Sequence, residues 1–288
     1  MIREHAGMPL SPPAATDTRA FFRPVSSELL ALLRGLSADD WHRPTLAGTW
    51  TVRDIVAHLV DLSFRRVSFH RDRLAPPPPP FPIQGQEDFV RFINGLNHEW
   101  VAATKRCSSK VLTELFELAS SDLATFFEAQ PLDAPGLFGV SWAGEQSSEG
   151  WFDTGREFTE LWHHQMQIRL AVGAAPLADA RYLRAVLDIA MRGLPYAYRG
   201  IDATEGDTVT IEASGSAGGT WTVKRDAQRW TLWEGTPDQA SVRVRLSDDE
   251  AWRLLFNALP FAKASKSIQI EGRTDLAGPL LRARSVIV

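Results

Sequence analysis

Glu160 and His164 stand four residues apart in the segment Trp151 to Val172, which reads as a helix. At 3.6 residues per turn, that spacing puts a carboxylate and an imidazole one turn apart on one helix face. Far upstream, His58 shares an apolar stripe with Ile55, Leu59 and Leu62. Two imidazoles and a carboxylate are a common ligand set for Zn²⁺, and for Fe²⁺ or Ni²⁺ with open positions. Each part also has a plainer reading. A histidine in an apolar stripe is more often a hydrogen-bonded core residue, and Glu and His at i, i+4 more often form a surface ion pair. The residues alone leave both readings open.

Neighbouring groups are weaker candidates. His163 is rotated about 100° from His164 around the helix axis, so it either supports the site or faces solvent. Glu157 is a rival carboxylate, but it lies seven residues before His164, roughly 10 Å along the axis. Cys107 is the only cysteine. It permits no intrachain disulfide and no cysteine-based zinc or iron–sulfur site, and reads as a small residue in a protein of the reducing cytoplasm. No phosphate loop, dinucleotide fingerprint or Gly-x-Ser-x-Gly elbow is present.

The elements that must position these residues follow from periodicity. Phe22, Val25, Leu29 and Leu33 predict a first helix over 17–36. Thr51 with Asp54 three residues on predicts a capped helix start, with the helix running from Val52 to about Leu74. Five prolines, Pro76 to Pro80, enforce an extended loop that serves as a rigid connection. Further helices are expected over 87–105, 110–129 and 151–172, with a long loop over 131–148. The pattern then changes. After a helix over 182–198, short period-two runs at Thr208–Glu212, Thr220–Lys224, Trp230–Trp233, Val242–Leu246 and Ile268–Ile270 predict strands. Ser247 and Glu250 form a capping-box pair opening a helix through Leu255, and a last helix is expected over 275–284. The fold class is therefore α+β. A flexible lead-in (1–16) precedes a helical bundle (17–175) and a smaller α+β domain (180–288) with an antiparallel sheet covered by helices.

Composition sets outer limits. The chain has 288 residues, 44% hydrophobic and 23% charged, enough for two ordinary globular domains. Its net charge of -4 provides no basic field for nucleic acid or an anionic membrane. No apolar run approaches the roughly 18 residues that span a bilayer.

Three stretches carry a family resemblance: Trp41 to Leu59, Leu96 to Val101, and Gly155 to Arg169. Together they resemble the DinB and mycothiol-dependent maleylpyruvate isomerase superfamily over about residues 17–172. The resemblance implies a four-helix-type bundle holding one divalent metal on a histidine of the second helix and a Glu-x-x-x-His pair of the last. Those positions are His58, Glu160 and His164. It implies packing and polar support from His98 and Glu99. The segment Val242 to Leu281 resembles the sterol-carrier-like second domain of the same isomerases. An arginine of that domain is implicated in activity there, and Arg273 is the candidate here, weighed against a solvated turn residue.

The resemblance implies a cofactor pair: a divalent metal, zinc first with nickel or iron as alternatives, and a low-molecular-weight thiol such as mycothiol. The partners would be that thiol and a small organic substrate, with neither nucleic acid nor membrane. The reaction would be isomerisation or S-transfer on a maleylpyruvate-like molecule. Metal-dependent hydrolysis and non-catalytic small-molecule binding are the alternatives. The sequence sets no oligomeric state.

Overall fold

Phe22, Val25, Leu29 and Leu33 are all buried on one side of the first helix, α1 (Phe22–Arg34), as their spacing demands. The computed structural model describes residues 9–177 and 179–286. Four more helices follow: α2 (Val52–Arg66), α3 (Gln86–Thr104), α4 (Ser109–Glu128) and α5 (Gly150–Val172). Contacts run from α1 to α4, α4 to α2, α2 to α5 and α5 back to α1, which closes a four-helix ring; α3 lies against α2. The start of α2 is fixed by the expected capping box. The Asp54 amide donates to the Thr51 hydroxyl, and the Thr51 amide donates to Asp54 Oδ2 at 3.0 Å. Such a cap is worth about 1 kcal/mol.

Two departures from the sequence reading concern these helices. The second helix does not run regularly to Leu74. At Val67–Arg71 it widens into a π turn, where the Asp72 amide donates to the Val67 carbonyl five residues back. On α5, almost every residue from Phe152 to Ile168 is buried. The helix expected over 151–172 is therefore buried around most of its circumference.

The remaining elements form the second unit: α6 (Ala180–Met191), α7 (Leu194–Ala197), β1 (Thr208–Ser214), β2 (Gly219–Arg225), β3 (Trp230–Glu234), β4 (Val242–Ser247), α8 (Asp248–Leu255), α9 (Phe261–Ser267), β5 (Gln269–Gly272) and α10 (Gly278–Arg282). The sheet order is β3-β2-β1-β4-β5. Alternation places Val209, Ile211, Trp221, Val223, Val242, Val244 and Leu246 in the core. Ile211 pairs with Trp221 on one side and Val244 on the other. Helix α8 packs on α6, β1 and β4.

The sheet is mixed, which corrects the expected antiparallel arrangement. Strand β4 pairs parallel to β1, and all other pairs are antiparallel. Three successive strands, β1 to β3, end with the chain at an edge and running in the direction of β1. The connection 235–241 then carries it across to the far side of β1, so β4 enters parallel. The expected helix over 182–198 breaks at Gly193, because Pro195 has no amide to give the turn before it.

By internal contacts of the described residues, the bundle unit comprises 17–139 and 147–177, and the sheet unit comprises 9–16, 140–146 and 179–286. Within the sheet unit, Ser11 of the N-terminal stretch forms a two-bond bridge to Glu234, at 3.0 and 2.9 Å.

Candidate metal centre

His58 lies two turns into α2 beyond its cap, and Glu160 and His164 lie one turn apart on α5. The three side chains converge, and one ligand atom from each lies within 4.8 Å of the others. His58 and His164 are buried, and their rings meet edge to face with centroids 4.9 Å apart. The structure thus brings together the three residues the sequence nominated.

Protonation states are set by the surroundings. His164 Nδ1 lies 2.8 Å from Gln167 Oε1. An amide oxygen only accepts, so Nδ1 carries a proton and Nε2 is the ring nitrogen turned to the cluster. That Nε2 faces Glu160 Oε2 at 3.4 Å. Burial works against the Glu160 carboxylate, yet its bond to His164 and the imidazoles around it hold its pKa down at about 2. Burial, together with His164 nearby, holds His58 well below the usual imidazole range, so it is neutral. His58 Nδ1 is buried without a hydrogen-bond partner. An orphaned buried nitrogen costs about 1–3 kcal/mol. A neutral His58 with an unpartnered nitrogen, beside a carboxylate held ionised, matches the ligand states a divalent cation requires. The residues fit the metal.

The surrounding contacts hold the rings in place. His163 is buried, and its Nδ1 donates to the Thr159 carbonyl at 2.7 Å. It does not face solvent, and supports the site by lying against His164. Half-buried Trp50 covers the cluster, with its ring centroids 4.9 Å from His58 and 6.2 Å from His164. Trp50 is fixed by the turn before α2: its amide donates to Ala47, and its carbonyl accepts from the Thr45 amide and hydroxyl.

A family model described as the mycothiol maleylpyruvate isomerase N-terminal domain matches residues 22–169, just over half of the chain. The chain belongs to this family. The crystal structure of the mycothiol-dependent maleylpyruvate isomerase superposes with a TM-score of 0.54 at 14% identity, covering 88% of this chain and 91% of that one. A histidine-to-alanine mutant of that isomerase gives a TM-score of 0.53 at 14% identity, with the same coverage. At this identity the likeness is one of fold, and it extends over both the helical and sheet-bearing parts of the isomerase architecture. No match was found among curated proteins.

The cluster does not include every residue singled out in the sequence. Arg273 follows β5 in the sheet unit, 47% exposed, and donates to Asp207 and Asp275 at 2.8 Å each. It is an ion-paired residue of the sheet unit. Glu157 is buried against Arg66 and Arg156, at 2.8 and 2.9 Å, and is not one of the cluster. His98 and Glu99 are exposed. The buried polar residue of that stretch is Asn97, which accepts from Arg65 at 2.7 Å. Cys107 is half-buried, and its carbonyl accepts from Arg53. Sequence reasoning missed Gln167, Trp50 and Arg66 as parts of the site's surroundings. Gln167, one helical turn beyond His164, was the one whose spacing could have revealed it.

Proposed function

We propose that this chain is a divalent-metal-dependent enzyme of the cytoplasm that uses a low-molecular-weight thiol of the mycothiol type. It acts as an isomerase or S-transferase on a small, maleylpyruvate-like molecule. The observation that carries this reading is the convergence of His58, Glu160 and His164 within a bundle of the maleylpyruvate isomerase family.

His58, Glu160 and His164 would hold the ion, with zinc the best match to the donor set and nickel or iron as alternatives. When bound, a divalent ion acidifies a small thiol, supplying a thiolate that adds reversibly to a conjugated double bond or is transferred. The chain's own part is to place the donors. Gln167 fixes the tautomer of His164 so that Nε2 points at the centre. Glu160 contributes one negative charge, which leaves a net positive charge at a divalent ion to favour an anionic sulfur. Trp50 shields one side of both imidazoles from water. The only cysteine, Cys107, is not in the cluster, which supports a thiol supplied from outside the chain.

The test is turnover of maleylpyruvate by protein stripped of metal and reloaded with zinc, with and without mycothiol. The reading expects cis-to-trans conversion, or a thiol adduct, only when zinc and mycothiol are both present. Zinc-dependent turnover without any thiol would assign the centre to hydrolysis instead.

A further inference from the structure

Below the metal centre lies a second set of contacts between the same two helices. Arg66, the last residue of α2, is buried, with only 5% of its side chain exposed. It donates to both oxygens of Asp153, at 2.5 and 2.9 Å, and to Glu157 at 2.8 Å. Arg156 donates to the same two carboxylates at 3.0 and 2.9 Å, and the Leu137 amide donates to Asp153 at 3.3 Å. The His70 ring, on the π turn, lies 3.2 Å from the Arg66 guanidinium. Burial opposes the charge on Arg66, but Glu157 and Asp153 hold its pKa above the ordinary value.

Such a network is poor value as a source of stability. Desolvating these charges costs several kcal/mol per ion, and apolar replacements of like volume are often neutral or stabilising. Its position gives it another use. Arg66 lies eight residues beyond His58 on α2, about 12 Å along the axis. Glu157 and Asp153 lie seven and eleven residues before His164 on α5, roughly 10 and 16 Å. The antiparallel pair α2/α5 is thus tied at two levels, one by the ion network and one by the metal ligands. Bidentate guanidinium–carboxylate geometry is directional, so it fixes sliding and rotation where apolar contacts would not. Glu157 also shares with Glu160 the wall of a cavity of about 20 Å³, with Ser63 and Ser120, which has room for one water.

We propose that Arg66, clamped by Asp153 and Glu157, is a positioning residue for the metal centre, setting the register of α2 against α5 and so the separation of His58 from Glu160 and His164. This rests on the metal-centre reading above. The test is a Co²⁺ titration of the full chain, read by chelator competition and by the visible d–d absorption, which reports ligand geometry. Wild type is expected to bind one equivalent. Arg66→Met and Arg156→Met combined with Asp153→Leu and Glu157→Leu, which removes all four charges together, is expected to melt, metal-free, no lower than wild type. The same variant should lose tenfold or more in Co²⁺ affinity and show a shifted d–d band. Arg66→Lys, which keeps the charge but not the fork, should show a smaller loss and a band shift. An unchanged affinity and spectrum in the quadruple variant would overturn the proposal. If that variant does not fold, unchanged values in Arg66→Lys overturn it. Wild type that binds no Co²⁺, or His58→Ala that binds it as wild type does, overturns the centre itself and the proposal with it.

Discussion

His163 and His164 occupy consecutive positions on α5, yet their imidazoles lie one against the other, with centroids 4.0 Å apart and planes inclined by 34°. One ring faces the cluster, and the other is held by the Thr159 carbonyl. Ala at His58, Glu160 or His164 should therefore each abolish stoichiometric zinc, whereas His163→Ala should keep a full equivalent. Elemental analysis after gel filtration checks this. Full zinc in His164→Ala, with loss in His163→Ala, would put the wrong face of α5 at the centre.

Gln167 should matter through His164 alone. Removing the group that fixes a ligand's tautomer typically costs 10–100-fold in metal affinity. Gln167→Ala is expected to weaken zinc by that factor in a chelator competition while retaining one site per chain. An affinity equal to wild type would show that the 2.8 Å contact does not orient the ring.

Thiol binding should depend on metal. A ligand at about 100 times its Kd stabilises the folded state by about 2.7 kcal/mol. Mycothiol at that level should raise the melting temperature of the zinc-loaded protein and leave the metal-free protein unmoved. Equal shifts in both would separate the thiol from the metal.

Acid should destabilise the metal-free protein. Burial, with Arg66 nearby, lowers the pKa of His70 to about 4. Burial, with His164 nearby, lowers that of His163 to about 3. These rings stay neutral when folded and take up protons near pH 6.5 when unfolded. Stability is therefore full above 6.5 and is lost as pH falls toward 4. The shift at His70 corresponds to about 3 kcal/mol at full weight, and solvent screening of this partly exposed ring reduces that to roughly 1–2 kcal/mol. Urea unfolding at pH 7 and pH 5 should show a smaller difference in His70→Gln than in wild type. Parallel losses in the two proteins would remove His70 from the account.

Asp61 carries the opposite sign. Burial pushes its carboxyl up to about 6 against the pull of Arg65, 3.0 Å away. Its charge costs stability above pH 6, and the cost is relieved as pH falls toward 3.8. Asp61→Asn should raise stability at pH 7.5 by about 1–3 kcal/mol. A loss of stability there, measured by urea unfolding, would mean that the pair with Arg65 outweighs the desolvation.

The legible parts of this chain were those written in local spacing. The five long helices, the cap at Thr51 and the i, i+4 pair Glu160 and His164 all depend on residues within a turn or two of one another. The pairing of His58 with Glu160 and His164 came from resemblance, because periodicity does not say which helix faces meet. The parallel entry of β4 was illegible for a related reason: period two records which face is buried, not the direction of the neighbouring strand. Helix α9 was missed because only Ala264 in it is buried, so it leaves almost no apolar period. Arg66, Asp153 and Glu157 look like ordinary helix-surface charges until their burial is known.

Residues 140–146 leave the bundle unit, join the sheet unit and return before α5 begins. Inside the sheet unit, a β-carbon at Gly193 would meet the Trp142 ring at 3.0 Å, and Tyr196 fills the space beside Gly144. The genetic boundary and the physical boundary are therefore different. A fragment beginning at 179 lacks Trp142, and a bundle ending at 178 carries that indole away from its seat. A single cut or single recombination point cannot exchange either unit between relatives intact. Moving the sheet unit as a cassette requires grafting this seven-residue excursion with it.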